Sequence, residues 1–103
     1  MTSRVDEIYD PAQHRNFIHI LRVDVVQTPV IKVLFDDGVE RNVDFSPLIA
    51  RSKWFRNLDV PTTFETVEVI NNGRALQWVT GVDYCADALR IMADEQLRDK
   101  GTV

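Results

Sequence analysis

The stretch that most constrains the fold is residues 66–89, in which an Asn72-Gly73 turn separates two runs of alternating apolar residues. Asparagine and glycine tolerate the positive φ angles that tight hairpin turns require. A slip of one residue in strand pairing moves every side chain to the other face of the sheet, so the apolar pattern determines the register. We therefore predict two antiparallel strands here, followed by a turn at Gly81 and a helix.

A two-residue turn at Asn72-Gly73 places Val69 opposite Leu76 and Val67 opposite Trp78. These four side chains then share one apolar face, whereas a three-residue loop would mix apolar and polar side chains on both faces. The register predicts that Trp78 points into the core, where its indole N–H needs an acceptor. An exposed Trp78 that stacks on a ligand is the functional alternative, but large aromatic side chains are mostly buried.

The first half of the chain predicts another hairpin. Alternating and β-branched residues indicate three strands, at residues 17–26, 31–35 and 39–45. Asp36-Asp37-Gly38 joins the second strand to the third, and a three-residue loop with Gly38 in the left-handed region pairs Phe35 with Val39 and Ile31 with Val43. We prefer this loop because a two-residue turn would pair Phe35 with a charged residue.

The dipeptide Ser46-Pro47 predicts the start of the first helix. A serine side chain can cap free N–H groups, and proline at the first helical position has no N–H to leave unpaired. We place this helix at residues 47–55 and expect Leu58 and Phe64 to anchor the following loop in the core.

The C-terminal helix is predicted to follow a cap at Asp83 or Cys85. Its apolar face is predicted to consist of Leu89, Met92, Ala93 and Leu97. The predicted fold is therefore α+β, a mostly antiparallel sheet of about five strands in two hairpins, with one helix between the hairpins and one at the C-terminal end. Residues 17–103 are predicted to form one compact domain, and residues 1–16 a flexible N-terminal arm.

Composition limits the classes of function. The chain has 103 residues, which suits one domain, and its 45% hydrophobic and 27% charged residues are ordinary for a globular protein. A net charge of −4 argues against a general attraction to nucleic acid or to an anionic membrane. The sequence has neither a secretory leader pattern nor an apolar run near the length of a membrane span, so we predict a cytoplasmic protein without membrane contact.

Residues suited to catalysis or metal binding are few and scattered. The single cysteine, Cys85, rules out an intramolecular disulfide and is predicted to be a buried or half-buried thiol. His14 and His19 have a spacing that suits neither a helical metal pair nor one face of a strand. A Cys85 nucleophile would need a histidine base, and both histidines lie far away in sequence. We therefore predict no enzyme, no metal site and no cofactor.

One stretch is typical of a binding surface. Arg51, Lys53 and Arg56 bracket Trp54 and Phe55 near the end of the first predicted helix. Cations beside aromatic rings suit contact with phosphates and stacking on bases. In the alternative interpretation, Phe55 belongs to the core, Trp54 lies half over it and the charges are simply solvated. We retain Arg51, Lys53, Trp54 and Arg56 as the candidate partner-binding residues.

An ordered set of residues also indicates a family. The set consists of Phe35-Asp36-Asp37-Gly38, Asp44-Phe45-Ser46-Pro47-Leu48, Phe55-Arg56-Asn57-Leu58, Phe64, Trp78-Val79-Thr80-Gly81-Val82-Asp83 and Leu89. With these residues the chain resembles the small bacterial domain-of-unknown-function family 2442 over about residues 21–90. The resemblance implies a compact α+β fold without established catalytic residues. It also implies pairing with another small domain in two-gene modules, which suggests an antitoxin-like role.

Three functions follow as hypotheses. The first is a non-enzymatic protein-interaction or regulatory module, an antitoxin-like partner of another small protein, with a homodimer expected because open sheet edges need covering. The second is a nucleic-acid-associated regulator that uses the basic and aromatic residues 51–56. The third is a small-molecule binder, which would require a concave apolar pocket with converging polar groups.

Overall fold

The computed structural model describes residues 17–101, which form two separate three-stranded antiparallel sheets and several helices. The first sheet has the order β1-β2-β3, with β1 at Ile20–Gln27, β2 at Val30–Phe35 and β3 at Glu40–Asp44. The second sheet has the order β4-β5-β6, with β4 at Glu68–Ile70, β5 at Ala75–Gln77 and β6 at Asp83–Cys85. The α+β class is confirmed, and the predicted arm at residues 1–16 lies outside the described residues.

The helices lie between the two sheets in sequence and after the second one. They are α1 at Ser46–Arg51, a 3-10 helix at Lys53–Asp59, α2 at Pro61–Phe64 and α3 at Ala86–Gly101. A further 3-10 turn at Asn71–Gly73 joins β4 to β5. None of the helices in the described part of the chain combines the length and the apolar composition needed to cross a membrane.

The predicted register of the second sheet is confirmed, although the turn is longer than predicted. Val69 lies opposite Leu76, and the ladder closes at the pair Ile70 and Ala75. The connection therefore has four residues, 71–74, and its first three adopt positive φ: Asn71 54°, Asn72 56° and Gly73 89°. A two-residue turn centred on the same point gives the same register, so the predicted strand pairing is confirmed and the predicted turn type is wrong.

The predicted loop of the first sheet is confirmed as well. Ile31 lies opposite Val43, and the Phe35 N–H donates to the Val39 carbonyl oxygen at 2.9 Å. Gly38 has a φ of 86°, in the left-handed region expected for a bulge. The three residues between Phe35 and Val39 thus keep the apolar side chains of β2 and β3 on one face.

Trp78 lies at the centre of the core. Its side chain is 2% exposed, and its indole N–H donates to the Phe64 carbonyl oxygen at 3.1 Å. The Phe45 ring meets the indole edge to face at 5.4 Å, and the Phe64 ring stacks on it at 6.0 Å. Leu58, at 1% exposure, and Phe64, at 0%, are core anchors as predicted.

The first predicted helix is wrong in length and in its cap. The α-helix ends at Arg51, and Ser52 is extended, with φ −135° and ψ 119°, before the 3-10 helix begins. The cap is supplied by Asp44, whose Oδ1 accepts the Ser46 N–H at 2.8 Å, since no side chain caps the helix from its N-cap position at Phe45. The extended Ser52 redirects the chain, so residues 53–56 do not continue the α1 helical pattern.

The last helix packs across the first sheet and covers the edge at β3. Leu89 and Ala93 are fully buried, but Leu97 is 49% exposed and does not belong to the predicted apolar face. Instead, Gln96 approaches the edge strand: its side-chain oxygen accepts the Asp44 N–H at 2.8 Å, and its side-chain nitrogen donates to the Asp44 carbonyl oxygen at 2.8 Å. This amide satisfies both outward backbone groups of Asp44.

Ion pairs add to the attachment of this helix. Asp94 pairs with Arg90 and with Arg41 of β3, both at 3.2 Å, and Arg90 also reaches Asp37 in the β2–β3 loop at 3.0 Å. The Arg90 guanidinium lies 5.0 Å from the centre of the Phe35 ring. The helix is thus tied to both ends of β3.

The Gln96 contact gives a direct test of how α3 is attached. Replacing Gln96 with alanine removes two hydrogen bonds and is expected to lower the free energy of unfolding by about 1–2 kcal/mol. Urea denaturation measures this change. Glu95→Ala is the matched control, because Glu95 is exposed on the same helix. Equal stabilities of the two variants would show that the contact does not help to attach α3.

Candidate partner-binding surface

The four candidate residues lie together where α1 gives way to the 3-10 helix. Arg51 is the last residue of α1, and Lys53, Trp54 and Arg56 lie in the 3-10 helix. All four are exposed, and Trp54 is 74% exposed. At this exposure most of the Trp54 side chain is open to solvent. We call these four residues the basic-aromatic surface.

Phe55 connects this surface to the core. Its side chain is half-buried, and its ring meets the Tyr84 ring edge to face at 5.8 Å. Tyr84 in turn contacts the buried Phe45 ring at 5.9 Å. Neighbouring residues of the 3-10 helix therefore point in different directions, because Phe55 is fixed against the second sheet while Trp54 extends into solvent.

Tyr84 lies in the same region, and the pKa of its phenol is shifted from the ordinary value. Burial raises the pKa of the Tyr84 phenol above its ordinary value of 10.0, and the positive charge of Arg51 acts in the opposite direction. The phenol therefore stays neutral at physiological pH. Its oxygen lies 4.0 Å from the sulfur of Met92 on α3. Tyr84 thus joins the basic-aromatic surface to the packing of α3 as a neutral group.

The cations of the basic-aromatic surface differ from most other arginines in the part of the chain that the structure describes. Arg22, Arg41, Arg74 and Arg90 each form an ion pair with an aspartate. Within residues 17–99, by contrast, neither Arg51, Lys53 nor Arg56 has an acidic partner within ion-pair distance. Their positive charge is therefore available to an external ligand even though the whole chain carries −4.

An open groove of about 410 Å³ adjoins Trp54. Its lining consists of Trp54, Phe55, Thr80, Gly81, Val82 and Asp83. The sequence indicated Thr80-Gly81 only as a turn, and no local pattern signals that this turn lies beside a helix more than 20 residues earlier. The groove is therefore the part of the candidate site that sequence reasoning missed. We call it the Trp54 groove.

A second concavity, of about 490 Å³, is bordered by all three strands of the first sheet and by α3. It is lined by Val26, Lys32, Glu40, Arg41, Asn42, Gln96 and Leu97. Three of its polar groups already have structural partners: Arg41 pairs with Asp94, Glu40 pairs with Arg22, and Gln96 bonds to the Asp44 backbone. This concavity therefore offers fewer free groups than the basic-aromatic surface does.

The remaining reactive side chains within residues 17–99 form no cluster. Cys85 is exposed, which corrects the predicted buried or half-buried thiol, because it lies in an edge strand that was not predicted. Its sulfur accepts the Ala88 N–H at 3.5 Å, so Cys85 does cap α3. His19 pairs with Asp36 at 3.1 Å, and His14 lies outside the described residues. Among the described residues, no group of three or more histidine, cysteine or acidic side chains could hold a metal ion.

Comparison with known proteins gives a family and no activity. A family model described as "Protein of unknown function (DUF2442)" matches residues 20–91. No curated protein and no solved structure matches the chain. The matched residues contain all six strands, the basic-aromatic surface and the first turns of α3. Because the match spans well over half of the chain, and agrees with the resemblance noted in the sequence, this protein belongs to the DUF2442 family.

Proposed function

We propose that the protein is a non-enzymatic interaction module that binds another small protein through its basic-aromatic surface, in an antitoxin-like or regulatory role. One observation carries this proposal: Trp54 is 74% exposed among three cations without acidic partners in the described part of the chain. Tryptophan and arginine are the residues most enriched at the energetic centres of protein interfaces. Trp54 would supply the apolar contact, and the cations would surround it.

Charge supports a partner with an acidic patch. The chain as a whole carries −4, so most of its surface repels an acidic protein. The basic-aromatic surface attracts such a protein, and complementary charges orient an encounter and raise the association rate. An acidic partner would therefore approach mainly from the side of Trp54.

Nucleic acid is the second candidate ligand, because cations beside an exposed aromatic ring also suit phosphates and bases. Three cations limit such binding. Neutralising three phosphates gives a slope of log K against log salt concentration of about −2 to −3, which is weak for a DNA-binding protein. A slope in this range with recovered DNA or RNA would favour nucleic acid over protein.

The test is a pull-down from the native cell with the purified chain, followed by measurement of the affinity for the recovered protein. Trp54→Ala is expected to weaken this affinity about 30-fold, corresponding to the ~2 kcal/mol typical of a central interface residue. Arg51→Glu combined with Arg56→Glu should weaken it further and reduce its dependence on salt.

Ile91→Ala is the matched control, because Ile91 is 60% exposed on α3 and lines neither concavity. It should bind as the unmodified chain does. The unfolding midpoint of Trp54→Ala should also stay unchanged, which separates lost binding from lost folding. A partner that binds Trp54→Ala as tightly as the unmodified chain would refute the proposed function.

A further inference from the structure

The outer edge of the second sheet has backbone groups that point away from the ladder. The Trp78 N–H donates to the Val82 carbonyl oxygen at 3.0 Å, and the Ala86 N–H donates to the Arg74 carbonyl oxygen at 2.8 Å. In an antiparallel ladder, hydrogen-bonded and non-hydrogen-bonded pairs alternate along the strand. The backbone N–H and C=O groups of Tyr84 therefore point towards β5. The N–H groups of Asp83 and Cys85, on either side of Tyr84, point outward.

Parts of the other sheet edges have neighbours within the described residues, whereas the outward N–H groups of β6 have none. At β3, the side chain of Gln96 occupies both outward groups of Asp44. The strand β4 lies close to part of β1. At β6, no acceptor from within residues 17–99 reaches the N–H of Asp83 or of Cys85. An uncovered edge strand is a template for pairing with another chain.

The Trp54 groove begins at this edge. Val82 and Asp83, which lead into and start β6, line the groove together with Trp54. In an added strand, alternate side chains point to the same face. A strand laid along β6 could therefore place an apolar side chain against Trp54 while its backbone bonds to Asp83 and Cys85.

The charges near this edge decide which kind of partner segment can bind there. Three cations of the basic-aromatic surface stand against one carboxylate in the groove lining, that of Asp83. Glu95 also acts on Tyr84, so the excess of positive charge lies on the Trp54 side of the groove. A second copy of this chain would bring the same cations towards each other, which is unfavourable. An acidic segment complements them.

We infer that β6 takes up an extended acidic segment of a partner protein as a fourth strand of the second sheet, with one apolar side chain of that segment in the Trp54 groove. Strand addition of this kind obtains affinity from backbone hydrogen bonds and specificity from pockets for alternate side chains. The inference rests on the proposed function, because it names the chemistry of the partner and the way in which it binds.

The experiment uses the full chain labelled with ¹⁵N and a synthetic nine-residue peptide in which glutamate alternates with valine around a central phenylalanine. Amide hydrogen exchange is measured with and without saturating peptide. We expect exchange at Asp83 and Cys85 to slow at least tenfold. Tyr84 is the internal control, because its N–H faces the neighbouring strand and should be protected already. A peptide of the same pattern with lysine in place of glutamate should not bind.

Each other outcome has a defined meaning. Binding of the acidic peptide that shifts the Trp54 indole signal, but leaves exchange at Asp83 and Cys85 unchanged, would refute strand addition while leaving the proposed function intact. Equal binding of the lysine peptide would refute the acidic partner. Failure of the acidic peptide to bind, with a cell-derived protein still depending on Trp54, would refute the inference alone. A cell-derived partner indifferent to Trp54→Ala would refute the proposed function itself.

Discussion

Trp78→Ala is expected to lower the free energy of unfolding by about 3–5 kcal/mol, the range typical of truncating a buried aromatic side chain. The indole is 2% exposed and fills the space between Phe45 and Phe64, so its removal leaves a cavity and also deletes the hydrogen bond to the Phe64 carbonyl oxygen. Single domains are stable by only about 5–15 kcal/mol. Much of the stability would therefore disappear, as urea denaturation would show.

Two further variants separate the contributions to this loss. Trp78→Phe keeps an aromatic ring in the core and is expected to cost less than Trp78→Ala. Trp54→Ala makes the same chemical change at a side chain that is 74% exposed, where surface substitutions usually change stability by no more than about 0.5 kcal/mol. If the two alanine variants lost the same stability, Trp78 could not be the centre of the core.

The burial of Trp78 was predictable because it depends only on which alternate residues of the two strands share one face. Once the apolar residues on either side of Asn72-Gly73 must share a face, Val69 pairs with Leu76 whether the loop has two or four residues. The same reasoning identified the bulge at Gly38. Apolar alternation carries this information locally, so neither prediction needed knowledge of the packing between sheets.

The errors arose where tertiary contacts override local patterns. The strand β6 has three residues and follows a turn closely, so its alternation is too short to recognise, and Cys85 was assigned the wrong exposure as a result. Ser52 fits a helical pattern but is extended. Leu97 has helical spacing with Leu89 but lies beyond the part of α3 that packs on the core.

The candidate site was predictable in its residues and unpredictable in its shape. Cations and aromatic residues adjacent in sequence identified the basic-aromatic surface, because residues this close in sequence remain close in space even though Ser52 separates two helices. The Trp54 groove is lined by residues of the 3-10 helix and of the turn near Gly81. The edge of β6 adds its outward backbone groups beside this groove. The positions of backbone atoms cannot be read from side-chain composition. Only the folded structure shows that the 3-10 helix, the turn near Gly81 and the edge of β6 lie next to one another.

Gly73→Ala is the second substitution with a large expected effect, because it would disturb the contact between the two sheets. Gly73 has a φ of 89°, and an added Cβ would lie 2.6 Å from the Ile20 carbonyl oxygen and 3.0 Å from the Ile20 nitrogen. Both are backbone atoms of β1, so the clash cannot be relieved by rotating a side chain. The left-handed conformation costs about 1–2 kcal/mol and overpacking about 1–3 kcal/mol.

Gly38→Ala isolates the first of these costs, that of the left-handed conformation. Gly38 has a similar φ of 86°, but an added Cβ would meet nothing within 4 Å. Urea denaturation should therefore show a loss of about 1–2 kcal/mol for Gly38→Ala, from the conformation alone, and a clearly larger loss for Gly73→Ala. Equal losses would mean that the Asn71–Gly73 turn can move away from β1 without cost. In that case the two sheets would not be held in a fixed arrangement by this contact.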